Sequence, residues 1–165
     1  MAFKVKNRHK LKIKKIKNFE NELMKSFSSI SFDERSSFEI GDFNSYKIIF
    51  INNEPCFIFH ENKLLFTLHG LNIFKPKENF VVVDMGAIKF ITNGADIMAP
   101  GIIDADKNIK KNDQVWICDE KHKKALAIGI SIMDGSNMIK EEKGKAIKTI
   151  HWVGDSLWNF TAKSL

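Results

Sequence analysis

The sequence predicts an α+β fold in two parts: a small α+β unit over residues 1–77, then a mainly β unit with short helices over residues 78–165. Three observations carry this expectation. Hydrophobic periodicity passes from two to about 3.6 and then to short β-rich runs within the first part. Lys75-Pro76-Lys77 interrupts that pattern, as a linker would. Beyond it, β-rich runs alternate with Gly, Pro and Asn turn chemistry. With 165 residues, 44% of them hydrophobic, and 14 Phe, the chain can bury one large core or two small ones, and its composition excludes a disordered class.

The first element reads as a strand. From Phe3 to Ile13 the odd positions are Phe, Val, Asn, His, Leu and Ile, while Lys4, Lys6, Arg8, Lys10, Lys12 and Lys14 occupy the even ones. A period of two places the cations on one face at a spacing of roughly 6.6 Å, whereas a helix would scatter them. The strand is expected to run at least to Lys12. Ile13, Ile16, Phe19, Leu23, Phe27 and Ile30 then recur every three to four residues, which predicts an amphipathic helix starting near Lys14 or capped at Asn18. Short strands follow at Tyr46 to Ile51, Cys56 to His60 and Leu64 to Leu68. Asn52-Asn53 and Glu61-Asn62 between them are hairpin turns.

The second part opens on Phe80-Val81-Val82-Val83, suited to a buried strand. Asp84 can cap a short helix through Gly86 to Ile91, and Gly94 can stop it, because glycine accepts the left-handed conformation there. A strand is expected at Ala95 to Ala99, ended by a sharp turn at Pro100-Gly101. Further strands are expected at Gln114 to Cys118 and Ala125 to Met133, a helix near Ser136 to Lys143, and a β-like ending from Ala146 to Phe160.

Charge separates the two parts. Residues 1–77 carry 14 Lys and Arg against 8 Asp and Glu, while residues 78–165 carry 12 of each, so the net +6 belongs to the first part. Eight of those cations lie within the first 17 residues, with no acid among them. No run reaches the roughly 20 apolar residues of a membrane span, and the basic N-terminus lacks the apolar stretch of a secretory signal. A cytoplasmic protein without a membrane partner is expected. Cys56 and Cys118 are distant in sequence and suit reduced, packed thiols. The five histidines form no metal spacing, and Asp104-x-Asp106-x-Asn108 fails as a calcium loop at Ile109 and Val115. Neither a P-loop, a nucleophile elbow nor a dinucleotide fingerprint occurs. We therefore expect no enzyme, no catalytic residue, no metal and no cofactor.

The segment from Val83 to Gly101, VDMGAIKFITNGADIMAPG, resembles the first helix and following strand of PUA domains. It is most similar to those of the malignant T-cell-amplified sequence protein family, and the ending from Ile147 to Trp158, IKTIHWVGDSLW, resembles that family's closing strands. The first half resembles, more weakly, the pre-PUA domain of its archaeal-type members. The resemblance implies a pre-PUA domain followed by a PUA pseudo-barrel and a non-catalytic, RNA-binding role in translation initiation, reinitiation or recycling. It also implies partners: the small ribosomal subunit, a tRNA acceptor end or rRNA, and a density-regulated-protein-like companion.

Carried over by position, the resemblance implies an RNA surface of Lys89, Thr92, Asn93, Gly94, Ala95, Met98, Ala99, Pro100 and Gly101. Lys89 can neutralise a phosphate, Asn93 offers both donor and acceptor, and Gly94 lets backbone approach a sugar-phosphate chain. The same glycine would equally serve as a helix stop alone. His151 and Trp152 are candidates for stacking on an unpaired base. Lys4, Lys6, Arg8, Lys10 and Lys12 are candidates for phosphate contact, or else the solvated face of an edge strand. An alternative use is as a non-catalytic, RNA-binding accessory subunit of a tRNA or rRNA modification enzyme.

Overall fold

The structure, a computed structural model, describes residues 4–163. Phe3, expected at the start of the first strand, lies outside them. Strand β1 spans Lys6–Lys10 and helix α1 Ile13–Ser26. Strands β2 (Phe38–Phe43), β3 (Tyr46–Ile51), β4 (Glu54–His60) and β5 (Lys63–Phe66) complete a five-stranded antiparallel sheet in the order β1-β2-β3-β4-β5. Both expected hairpin turns have two consecutive residues at positive φ, Asn52 (51°) with Asn53 (69°) and Glu61 (49°) with Asn62 (63°), as tight hairpins require.

The alternation read for β1 is broken. Asn7 has φ 55° and the register slips between Lys6 and His9, so a bulge shifts the phase of the side chains. A Cβ on Gly41 would touch both Val5 Cγ1 and Arg8 Cβ, at 2.5 and 3.3 Å, so Arg8 comes over the sheet alongside Val5. There it sits 3.9 Å from the Phe50 ring centroid and bonds Glu39 at 3.1 Å. The helix that follows keeps its apolar stripe at Phe19 and Leu23, continued by Phe27 just past its end, but Ile13, its first residue, is 74% exposed.

Two elements of the first half were not expected. The sequence reading continued β5 to Leu68, yet the chain turns into helix α2 (Leu68–Phe74). Thr67 causes the switch, since its hydroxyl oxygen accepts the Gly70 N–H as an N-cap while donating to Pro55 O. Strand β2 was missed too, because its Glu39, Gly41 and Asp42 dilute the β-rich signal that pairing with β3 supplies.

The second sheet has six strands in the order β7-β11-β10-β9-β6-β8. They are β6 (Phe80–Val83), β7 (Ile97–Met98), β8 (Ile102–Ala105), β9 (Gln114–Asp119), β10 (Ala125–Ser131) and β11 (Lys145–Trp152). β6 runs parallel to β9 and the other pairs are antiparallel, giving a curled half-barrel with helices α3 (Ile88–Ile91) and α4 (Gly135–Lys140) against it. The expected α+β architecture is therefore observed. The Pro100-Gly101 turn is a short 3-10 segment, Ala99–Gly101.

The β-like ending is corrected. Residues Ser156–Lys163 form helix α5. Gly154 (φ 97°) turns the chain after β11, and Asp155 accepts the Trp158 N–H at 2.7 Å, which starts the helix. Leu157 and Phe160 on α5 enter the core of the first sheet, where Phe160 stacks on Phe43 at 4.5 Å between centroids. A second core lies inside the half-barrel around Val81, Ile91, Ile97, Val115, Ile117 and Ile147.

Hydrogen bonds close the seam between the sheets. Phe66 N–H donates to Gln114 Oε1 (2.7 Å) and Gln114 Nε2 donates to Leu64 O (3.0 Å), while within the second unit Trp116 Nε1 donates to Glu78 O (2.7 Å). Glu78, just past the Pro76 break, accepts from Ser29 N, Ser29 Oγ and Ser28 Oγ at 2.6 to 3.2 Å. Partial burial alone would push its carboxyl up; the serine donors, together with Glu78's own backbone N–H, reverse that and hold it below its ordinary value of 4.5. A carboxylate with a lowered folded-state pKa stabilises the fold above the unfolded value, and that contribution is lost as pH falls through the folded value. Replacing Glu78 by Gln is therefore expected to flatten the decline in melting temperature below about pH 4.5. A thermal scan from pH 7 to 3 checks this, and an unchanged acid limb would remove the clamp from the account.

Candidate nucleic-acid interface

The segment Val83 to Gly101 folds through local chemistry. Asp84 is extended (φ −69°, ψ 163°) and its Oδ1 accepts the Ala87 N–H at 3.0 Å, starting a 3-10 turn at Met85–Ala87 that continues into α3. The helix ends at Ile91, and the turn that follows closes at Gly94, whose φ is 83° and whose N–H donates to Ile91 O. The chain then enters β7, held at the open edge of the second sheet by pairing with β11.

Between α3 and β7 lies a cleft of about 710 Å³. Phe90 (59% exposed) and Met98 (48% exposed) present apolar surface, and Ala95, Pro100 and Gly101 complete the walls. Asp84, Asp96 and Lys145 supply the charges. Asp96 accepts Thr149 N–H at 2.9 Å and pairs with Lys145 Nζ at 2.8 Å. Burial raises the Asp96 carboxyl, but the Lys145 ammonium and the Thr149 N–H outweigh it and keep the carboxyl below the usual range. It is an anion at neutral pH.

Ala99 apart, the residues from Lys89 to Gly101 expected at an RNA surface divide into three groups. Ala95, Met98, Pro100 and Gly101 line the cleft. Lys89, Thr92 and Asn93 stand on α3 and its end without lining it. Lys89 is exposed, with its ammonium 5.1 Å from the Phe90 ring centroid, while Thr92 Oγ donates to Ile88 O and the Asn93 amide to Lys89 O. Gly94 lies beneath the Trp152 indole, where a Cβ would come within 2.7 Å of Cζ2, so the fold itself demands glycine here.

Ala99 and His151 are corrected. Ala99 is buried in the second core, with its N–H donating to Gly144 O. His151 is fully buried at the seam: its Nε2 accepts the Leu68 N–H at 3.1 Å, which leaves Nδ1 to donate to Asp155 Oδ2 at 2.7 Å. A ring with both nitrogens engaged inside the protein offers no stacking face. Trp152 is half-buried, packed between Gly94 and the second core.

Of the basic row, Lys4, Lys6, Lys10 and Lys12 are exposed. Arg8 is occupied by Glu39, Asn53 and Phe50. β1 and β7 are outer strands of different sheets, so the row and the cleft belong to separate edges.

Sequence reasoning missed Phe90, Gly86, Asp84, Asp96 and Lys145 as cleft residues. Phe90 had a signal: it falls out of phase with Ile88 and Ile91, which pack on the second core. Lys145 had none, because only the β11–β7 register sets it beside Met98. Among the described residues no group of His, Cys, Asp and Glu could hold a metal ion. Burial pushes the Cys56 thiol up to about 12 and that of Cys118 to about 11, far from nucleophilic use. No helix among the described residues is long and apolar enough to cross a membrane.

A family model described as a PUA domain matches residues 79–153, and a second, described as a domain of unknown function (DUF1947), matches residues 7–92. An uncharacterised protein of Methanocaldococcus jannaschii is 43% identical over 158 residues, covering 94% of this chain and 98% of that protein. The chain belongs to the DUF1947–PUA family. The resemblance read from the sequence is thus confirmed. Among homologues of this DUF1947–PUA protein, Translation machinery-associated protein 20 of Saccharomyces cerevisiae is 37% identical over 120 residues, spanning 68% of this chain and 66% of the yeast protein's length. Malignant T-cell-amplified sequence 1 of Rattus norvegicus is 29% identical over 170 residues, covering 94% of this chain and 91% of that protein. The crystal structure of a hypothetical protein from Pyrococcus horikoshii OT3 superposes with a TM-score of 0.84 at 33% identity, covering 93% of this chain and 99% of that one.

Proposed function

We propose that this protein is a non-catalytic RNA-binding factor of the translation apparatus that grips a tRNA acceptor end or rRNA in the α3–β7 cleft. The cleft carries the reading: it leaves Phe90 and Met98 exposed together, facing solvent at the open edge of the half-barrel. Exposed aromatic surface beside a strand edge suits unpaired bases, which stack on it. The name of the yeast relative, Translation machinery-associated protein 20, supports the translational setting. In this proposal residues 1–77 and 78–165 are the two working units, the small ribosomal subunit is the site of action, and a density-regulated-protein-like companion completes the assembly. Lys6, Lys10 and Lys12 make a second, phosphate-only contact, and Lys89 a third beside the cleft.

The test is a salt titration of tRNA binding with the intact protein. Changing Lys6, Lys10 and Lys12 together to Ala should reduce the slope of log affinity against log salt by roughly one for each lost phosphate contact. Arg8 is left alone because its substitution would also remove the Glu39 and Phe50 contacts. An unchanged slope removes the basic row from the proposal. Absence of affinity for either tRNA or ribosomal subunits at physiological salt removes the proposal itself, and copurification with an RNA-modifying enzyme in place of ribosomal subunits would favour the accessory role.

A further inference from the structure

Two carboxylates and one ammonium line the cleft, so its interior is net negative. A phosphate placed there would face Asp84 and Asp96, and the single cation, Lys145, is already committed to Asp96 at 2.8 Å. The backbone of a bound strand is thus directed outward toward Lys89, leaving a base to enter. The volume of about 710 Å³ lies within the range of small-ligand sites and accommodates a nucleoside.

The polar groups then decide which base. Ionised carboxylates only accept hydrogen bonds. Asp84 spends Oδ1 on the Ala87 N–H, while Asp96 receives Thr149 N–H and Lys145; each carboxylate has about four acceptor positions, so both retain capacity. Gly86 keeps the approach open, since a Cβ there would stand 3.3 Å from Asp84 Oδ1. Cytosine N4, adenine N6 and guanine N2 are donor groups. Uracil presents O4 where cytosine has its amino group, and its one N–H is flanked by two acceptors, so a carboxylate repels that edge.

We propose that the α3–β7 cleft selects unpaired bases bearing an exocyclic amino group over uracil, stacking them on Phe90 and reading the amino group with the Asp84 and Asp96 carboxylates. This rests on the cleft being the RNA site. The intact protein, titrated with cytosine, adenine and uracil hexaribonucleotides and with tRNA, should bind the first two about tenfold more tightly than the uracil oligomer, as one good base-edge contact provides. Asp84→Asn keeps an oxygen for the Ala87 N–H but adds an amide donor that suits uracil O4, and should bring the cytosine-to-uracil ratio close to one. Removing a negative charge would tighten all oligomers alike, so the ratio isolates the reading of the base. Asp96→Asn, which retains an acceptor for Thr149 N–H, serves as the second variant, with melting temperature reporting its fold. Equal affinity of the native protein for the three oligomers, or a ratio unmoved in both variants, overturns the inference while tRNA binding leaves the RNA reading standing. Loss of all RNA binding in the native protein overturns both.

Discussion

Replacing His151 by Ala is expected to lower the free energy of unfolding by about 3–5 kcal/mol, because it combines a cavity with a stranded polar group. The ring is fully buried, and its removal leaves the N–H of buried Leu68 without an acceptor and Asp155 Oδ2 without the Nδ1 donor. The Leu68 end begins a helix of the first half and the His151 end belongs to the last strand of the second, so the bond ties the two sheets together. His151→Gln places a carbonyl oxygen within reach of the same N–H and should recover part of the loss. Urea denaturation of the three proteins decides it. A loss under about 1 kcal/mol in the Ala variant would mean that Leu68 is satisfied by water and that the seam does not depend on this ring.

Gly94→Ala should cost about 2–4 kcal/mol, from two additive sources. The position has φ 83°, which disfavours any side chain, and the new Cβ would stand 2.7 Å from Trp152 Cζ2. The sources can be separated by a double-mutant cycle. In a Trp152→Ala background the overlap disappears, and the glycine substitution should cost only about 1 kcal/mol for the backbone. Equal losses in both backgrounds would show that Trp152 yields freely and that strain at φ accounts for the whole effect.

Gly94 also illustrates how far the sequence could be read. Its helix-stop role was visible from its place after an apolar helical run, since only local geometry is involved. Its contact with Trp152 joins residues 58 apart in the chain, and nothing local reports it. Arg8 shows the same limit on the first strand. An alternation of cations implied a uniform face, but a bulge at Asn7 rotated Arg8 onto Phe50, which belongs to β3. Phe90 was legible in principle, because a large aromatic out of phase with Ile88 and Ile91 signals an exposed face. Lys145 was not, since strand register alone places it in the cleft.

Local chemistry in the sequence determined the hairpins at Asn52-Asn53 and Glu61-Asn62, the Asp84 cap, the Gly94 stop, the main strands of both sheets and the motif that marks the PUA domain. Each depends on a few neighbouring residues whose backbone preferences or side-chain bonds act over one turn. Tertiary structure alone decided that α5 returns to the core of the first sheet, that His151 is an internal brace, and that two acids and one lysine meet in an apolar cleft. Those outcomes follow from packing and pairing across 49 to 117 residues of chain, where the side chain's destination depends on which surface the fold brings opposite it.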